Sequence, residues 1–189
     1  IILFCQGMFT AKLMMAEPKN WRYNLIWQKD RPTGFLNARR MPMRCHEDIA
    51  VFYRSLPTFN PQMRQGFPNH SRGHKHGQPK GNVCYGRYNN EVYSKEMTTE
   101  KYPISVLFFD KEKEMDMHPT QKPVALIQYL ISSYSNPGGV ILDNCMGSGT
   151  TAIAAIREKR NFIGFEINEE YYAKACKRIK SELSQLTLF

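Results

Sequence analysis

No apolar run in this chain is long enough to cross a bilayer. The longest, residues 1–5 and 104–109, fall far short of the roughly 20 residues a spanning helix needs. No basic-then-apolar leader precedes a small-residue cleavage site, so the expectation is a soluble, cytoplasmic protein. Cysteine is scarce and badly arranged for cross-linking: Cys5, Cys45, Cys84, Cys145 and Cys176 are odd in number, scattered, and form no CxxC pair. That excludes a disulfide framework and a cysteine zinc site, and leaves reduced, structural thiols as the expectation. No internal repeat is present. The first residue is Ile rather than Met, and the first five read as a buried strand, so the chain is expected to begin within a domain.

What is present is a basic chain of 189 residues with 42% hydrophobic residues and a net charge of +9. That is enough apolar side chain for one α/β domain, or one domain carrying an insertion. The charge is unevenly placed. Residues 1–101 hold 16 Lys and Arg against 7 Asp and Glu, whereas residues 102–189 hold 10 of each. A basic half beside a neutral half fits a surface for a polyanion, since phosphate contacts drive sequence-independent nucleic-acid affinity. It fits a solvated basic face equally well.

Three stretches differ in character. In residues 1–59, short β-branched and aromatic runs (1–4, 23–28 and 49–53) predict strands, and 8–16 predicts a helix. From about 60 to 101 the periodicity disappears into Gly, Pro, Asn, His, Lys and Arg, and a long irregular stretch of that kind is usually functional or disordered. Order returns in residues 102–189. A strand is predicted over 104–109, and a charged loop follows. Then comes a helix marked by Pro123 in its first turn, with Val124, Ile127, Leu130, Ile131 and Tyr134 on one face. Asn136-Pro-Gly-Gly139 ends it. Strands at 140–142 and 162–165 alternate with helices at 150–157 and 169 to about 183, the last turning Tyr172, Ala175, Cys176 and Ile179 inward. Strand, helix, strand, helix implies a right-handed parallel βαβ unit.

The sharpest local signal is the run 140–151, a strand entering a glycine turn that opens a helix. Gly147 and Gly149 let a ligand approach the backbone at a helix N-terminus. A phosphate-binding P-loop needs a Lys before Ser or Thr after its last glycine; Thr150 and Thr151 stand there instead. A dinucleotide fingerprint needs a third small residue where Ala152 stands, and that reading stays open. The third reading uses Asp143 at the tip of one strand and Glu166 at the tip of the next, the second placed to accept hydrogen bonds from a ribose diol. It suits adenosine without pyrophosphate. Two capping carboxylates around a turn glycine are the alternative.

These residues carry a resemblance. His118-Pro-Thr-Gln-Lys-Pro123, then Asp143-Asn-Cys-Met-Gly-Ser-Gly-Thr-Thr151, then Asn161-Phe-Ile-Gly-Phe-Glu166, resemble the C-terminal core of bacterial β-class DNA amino-methyltransferases. Trp27-Gln-Lys29, Thr33-Gly-Phe-Leu-Asn-Ala38, His46-Glu47, Val51-Phe-Tyr53 and Asn60-Pro-Gln62 resemble further segments of that family, in the family's order. The resemblance implies an α/β, Rossmann-like methyltransferase sheet in circularly permuted order, with an irregular target-recognition insertion. It also implies the cofactor S-adenosylmethionine, held by Asp143, Met146, Gly147, Ser148, Gly149, Thr150 and Glu166. Residues 118–123 would close over its methionine end, with Thr120 and Lys122 suited to a carboxylate and His118 beside them.

In that family the irregular segment reads the DNA target, here about residues 60–101. The implied partner is double-stranded DNA, with Arg64, Arg72, Lys75, Lys80 and Arg87 reaching phosphates or guanine edges, and Tyr85 and Tyr88 offering stacking surfaces. Arg39, Arg40 and Arg44 form a second phosphate-contacting group. His70, His74 and His76 lack the framework that fixes zinc, and no metal is expected. The implied activity is methylation of adenine N6 in a restriction-modification or phage-related system. Cytosine-N4 methylation and an inactive remnant that keeps DNA or cofactor binding are the alternatives. The family's DPPY-type catalytic motif, on its fourth strand, occurs nowhere in these 189 residues. The expectation is a chain inactive by itself, missing its N-terminal strands, with a gap beside residues 1–4 that a second polypeptide or self-association would fill.

Overall fold

The computed structural model describes residues 1–67, 99–111 and 121–186. Two compact units emerge, one built from residues 1–60 and 104–189, the other from 61–103.

The larger unit contains a four-stranded sheet. Its members are β1 (Ile2–Cys5), β2 (Trp21–Thr33), β3 (Arg44–Phe52) and β6 (Val106–Phe108), in the order β1-β3-β2-β6. Period-two alternation sets the faces of β2. Leu25, Trp27 and Lys29 turn inward while Gln28 and Asp30 face solvent, as a strand half-buried on one face requires. β3 runs antiparallel to both neighbours, with Leu25 opposite Ile49 and Trp27 opposite Glu47, and β6 runs parallel to β2, with Trp27 beside Leu107. Trp27 is 1% exposed, and its indole N–H donates to the Phe109 carbonyl at 2.9 Å, so the buried polar end of the ring is satisfied. β2 and β3 both run further than their apolar cores predict, because their polar ends extend the same antiparallel ladder to Thr33 and Arg44.

Helix α1 (Met8–Ala16) starts after Gly7, and Thr10 ties it to the sheet by donating to the Asp48 carboxylate at 2.7 Å. Helix α2 (Val124–Tyr134) follows Pro123 as the sequence predicts. Val124, Leu126, Ile127, Leu130 and Ile131 bury against Trp27, Ile49 and Ile153 in one core. Strands β7 (Val140–Asp143) and β8 (Asn161–Gly164) pair in parallel through helix α3 (Thr150–Arg157), giving the predicted βαβ unit. Helix α4 (Glu169–Leu186) closes it, held by the Arg157–Glu182 ion pair at 2.7 Å. Ala175 is fully buried and Ile179 packs on the core, but Tyr172 is 51% exposed and does not face inward as predicted. The face of α4 that packs on α3, the glycine turn and the core carries Ala175 and Ile179, and Tyr172 lies outside it. The thiols also depart from expectation. Cys5 is buried, whereas Cys45 and Cys145 are exposed on a strand end and a loop.

Among the described residues, β1 pairs only with β3, and β7 only with β8. The free edges of β1 and β7 border a cavity of about 820 Å³, floored by Val51, Phe52, Ile127, Leu130 and Ile131. Val140 and Leu142 remain 62% and 65% exposed there, unusual for apolar residues of a parallel strand, which is ordinarily covered on both faces. In the smaller unit, β4 (Arg64–Gln65) and β5 (Glu100–Lys101) pair antiparallel, and Arg64 donates from Nε to the Tyr102 carbonyl at 3.1 Å.

Candidate functional site

The turn after β7 is braced from both sides by carboxylates. Asp143 accepts from the backbone N–H of Cys145 at 3.0 Å and from the Thr151 hydroxyl at 2.5 Å. Glu166, just past β8, accepts from the N–H of Gly147 at 2.8 Å and from that of Asn168 at 2.9 Å. Gly147 and Gly149 both adopt positive φ, 53° and 79°, which only glycine adopts without strain. Met146, 8% exposed, folds its side chain over Gly164, where any β-carbon would lie 2.1 Å from the Met146 sulfur. Asp143, Met146, Gly147, Ser148, Gly149, Thr150 and Glu166 are therefore brought into one turn at the tips of two paired strands.

This hydrogen bonding discriminates between the ligands the sequence left open. A phosphate cradle needs several backbone N–H groups aimed at the anion. Here the Gly147 N–H is given to Glu166 and the Gly149 N–H to the Met146 carbonyl, and a carboxylate stands beside the turn. That electrostatics disfavours pyrophosphate and fits an uncharged nucleoside. Each carboxylate oxygen keeps a second lone-pair direction, so bracing the turn and accepting from a ligand hydroxyl are compatible.

The turn is also held from outside. Ser148, 3% exposed, donates its hydroxyl to Gln121 Oε1 at 3.0 Å, and Arg178 on α4 reaches the Thr150 hydroxyl at 3.2 Å. Lys122, which the sequence offers for a ligand carboxylate, lines the cavity while its ammonium contacts Glu47 on β3 at 2.6 Å. Lys29 on β2 contacts the other oxygen of Glu47 at 2.5 Å and is only 7% exposed. Burial pushes the Glu47 carboxyl up, but hydrogen bonds from Lys122 and then Lys29 outweigh it and hold it below the ordinary value. His118 and Thr120 lie outside the described residues.

Of the basic residues singled out in the sequence, Arg39 and Arg40 are exposed on the β2–β3 connection, beside Phe35 and Leu36 at 80% and 96% exposure. Arg44 is exposed too and donates to Gln6 at 2.7 Å. Arg64 belongs to the smaller unit. Arg72, Lys75, Lys80 and Arg87, with Tyr85, Tyr88 and the three histidines, lie outside the described residues. Among the described residues no group of three or more His, Cys, Asp or Glu could hold a metal. No described helix is long and apolar enough to cross a membrane. Sequence reasoning missed the roles of Lys29, Glu47, Gln121, Thr151 and Arg178; a polar residue on a strand's buried face, as at Lys29, was the available signal.

A parallel βαβ unit whose glycine turn carries carboxylates at both strand tips, beside a sheet with an antiparallel member, defines a Rossmann-like α/β protein of the methyltransferase type. Residues 1–177 match the DNA methylase family of N6 and N4 amino-methyltransferases, and the chain belongs to that family. It is 43% identical over 84 residues to the DNA adenine methyltransferase YhdJ of Escherichia coli (strain K12), covering 42% of this chain and 29% of that protein. To the type II methyltransferase M2.DpnII of Streptococcus pneumoniae it is 44% identical over 71 residues, covering 38% and 26%. The matched segments thus span less than a third of these relatives. A crystal structure of the M1.HpyAVI–SAM complex superposes with a TM-score of 0.64 at 28% identity, covering 94% of this chain and 72% of that one. The cytosine-N4-specific PvuII DNA methyltransferase, at 14% identity and a TM-score of 0.62, covers 95% and 63% and shares the fold.

Proposed function

We propose that this protein takes part in transferring a methyl group from S-adenosylmethionine to the N6 amine of adenine in double-stranded DNA, within a restriction-modification or phage-related system. The observation that carries the reading is the cavity walled by residues 143–148 of the glycine turn, with the Asp143 carboxylate in its lining and Glu166 bracing the turn through Gly147, which favours a nucleoside over a phosphate. The 43% identity to a protein named as a DNA adenine methyltransferase favours adenine over cytosine.

When bound, S-adenosylmethionine supplies a methyl group made electrophilic by its sulfonium. The chain's own residues do the holding. Glu166 accepts from the ribose hydroxyls, Gly147 lets the nucleoside lie against backbone, Gly149 lets the turn close on Ala175 of α4, and Met146, Ser148 and Thr150 shape the wall. Asp143 keeps the turn in place, and Lys122, with His118 and Thr120 nearby in sequence, takes the amino-acid end. Arg39, Arg40 and Arg44 meet DNA phosphates from the larger unit, and Arg64, Arg72, Lys75, Lys80 and Arg87 from the 60–101 region.

The slot between the free edges of β1 and β7 receives one extended segment from outside residues 1–189, and that segment bears the DPPY-type motif that orients the target amine. Two strand edges unpaired among the described residues, a cavity of about 820 Å³ and an apolar floor support this occupant. The test is a methylation assay with radiolabelled cofactor on the 189-residue chain, alone and with an upstream extension carrying the motif. Activity only in the extended form is expected. Inactivity of both, with no cofactor binding by calorimetry, overturns the reading.

A further inference from the structure

Lys122 shares a cluster with Glu47 and the buried Lys29, two residues to which the methyl-transfer reading gives no role. The two lysines contact opposite oxygens of one carboxylate, at 2.5 and 2.6 Å. Among the described residues one negative charge here faces two positive ones, so this trio carries a surplus of one positive charge. Aromatic faces soften that cost without cancelling it: the Lys29 ammonium lies 5.3 Å from the Trp27 ring centre, and that of Lys122 lies 5.0 Å from Phe4 and 5.7 Å from Trp27. A buried, unbalanced cation is expensive and is retained where something draws on it.

Position decides which lysine holds the surplus. Lys29 points into the sheet's inner face and does not line the cavity, whereas Lys122 does, and among the described residues it is the one lysine or arginine to do so. The only acidic side chain among the described residues lining the cavity, Asp143, is already occupied with Cys145 and Thr151. Without Lys29, Glu47 would neutralise Lys122 completely and the cavity would lose its positive pole. We infer that Lys29 is a positioning residue: by neutralising Glu47 from behind, it leaves the charge of Lys122 for the carboxylate at the amino-acid end of the cofactor. The inference rests on the S-adenosylmethionine reading and deepens it, since it concerns a residue that never touches the ligand.

The test compares two ligands that differ in that end alone. S-adenosylhomocysteine carries the amino-acid carboxylate and ammonium, and 5′-methylthioadenosine is the same nucleoside thioether with a methyl group on sulfur in place of that end. Calorimetric titration of the wild-type protein gives tighter binding of the first. In Lys29→Met or Lys29→Gln its affinity falls by roughly tenfold, the order expected for deleting one unit charge near the site, while methylthioadenosine affinity stays within about twofold. Should these variants not fold, Glu47→Gln decides, because it frees charge at Lys122 and shifts the ratio the opposite way, toward the carboxylate ligand. An equal loss for both ligands is what a merely structural lysine would give, and it overturns the inference, as does an unchanged ratio. If the wild type binds neither ligand, the cofactor reading itself fails; if it binds both with one affinity, only the role of the lysines does.

Discussion

Gln121 and Lys122 are neighbours in the chain and hold opposite walls of one cavity. Gln121 accepts from Ser148 in the glycine turn at 3.0 Å, while Lys122 reaches Glu47 on β3 at 2.6 Å. The βαβ unit and the four-stranded sheet are thereby tied together at the ligand end, where no strand pairing joins them among the described residues. Gln121→Leu would strand a buried hydroxyl without its acceptor, a loss of at least about 1 kcal/mol. Urea unfolding is the measurement, and a midpoint equal to that of the wild type contradicts the tie.

The carboxylates on the turn should matter for ligand binding and for local order together. Asp143→Ala removes two hydrogen bonds from the turn, and Glu166→Ala removes the acceptor of the Gly147 N–H. Hydrogen bonds to a charged group are worth roughly 1.5–3 kcal/mol each, so affinity for S-adenosylmethionine should fall by about tenfold or more in either variant. Calorimetry on folded protein checks this, and wild-type affinity in both variants removes the assignment.

Gly149 and Gly138 allow backbone strain to be separated from crowding. Their φ angles are nearly equal, 79° and 81°. A β-carbon on Gly138 would meet open space, whereas on Gly149 it would lie 3.1 Å from the Ala175 β-carbon on α4. Gly138→Ala should cost about 1–2 kcal/mol from the left-handed conformation alone. Gly149→Ala should cost more, because turn and helix must separate. Thermal unfolding of the pair gives the difference; equal costs would mean that α4 does not press on the turn.

Much of this was legible in the sequence because local rules and tertiary packing agreed. Pro123 and the 3.6-residue apolar period gave α2, and the glycine turn between two apolar runs gave β7, α3 and β8. The extent of β2 and β3 was not legible, since polar residues such as Gln28, Thr33 and Arg44 enter a strand only by pairing across a sheet, here past an irregularity between Gln28 and Thr33. Lys29 and Glu47 share a site for the same reason. Glu47 pairs with Trp27, two residues before Lys29, so the two share a face across adjacent strands, and nothing local to either says that Lys122 meets them. Tyr172 failed in the other direction: the helical period placed it inward, but it is 51% exposed while Ala175 of the same helix is fully buried.

Two buried groups should bound the pH range of stability from opposite sides. For Glu47, burial raises the carboxyl, but hydrogen bonds from Lys122 and Lys29 lower it further, to a folded value below its ordinary 4.5. A lowered acid contributes stability that is present above pH 4.5 and lost as pH falls through the folded value. For Tyr134, burial and then the hydrogen bond with Tyr23 at 2.9 Å raise the phenol well above its ordinary 10.0. Its contribution is complete below pH 10.0 and is lost as pH climbs toward the folded value, because the unfolded chain sheds that proton first. Glu47→Gln should therefore flatten the acid limb of a stability–pH curve and leave the alkaline limb alone, while Tyr134→Phe should soften the alkaline limb only. Tyr129, whose phenol burial also raises, keeps part of that limb in place. Denaturant midpoints from pH 3 to pH 11 test both at once, and an acid limb equally steep with and without Glu47 would show that the two lysines do not stabilise its charge.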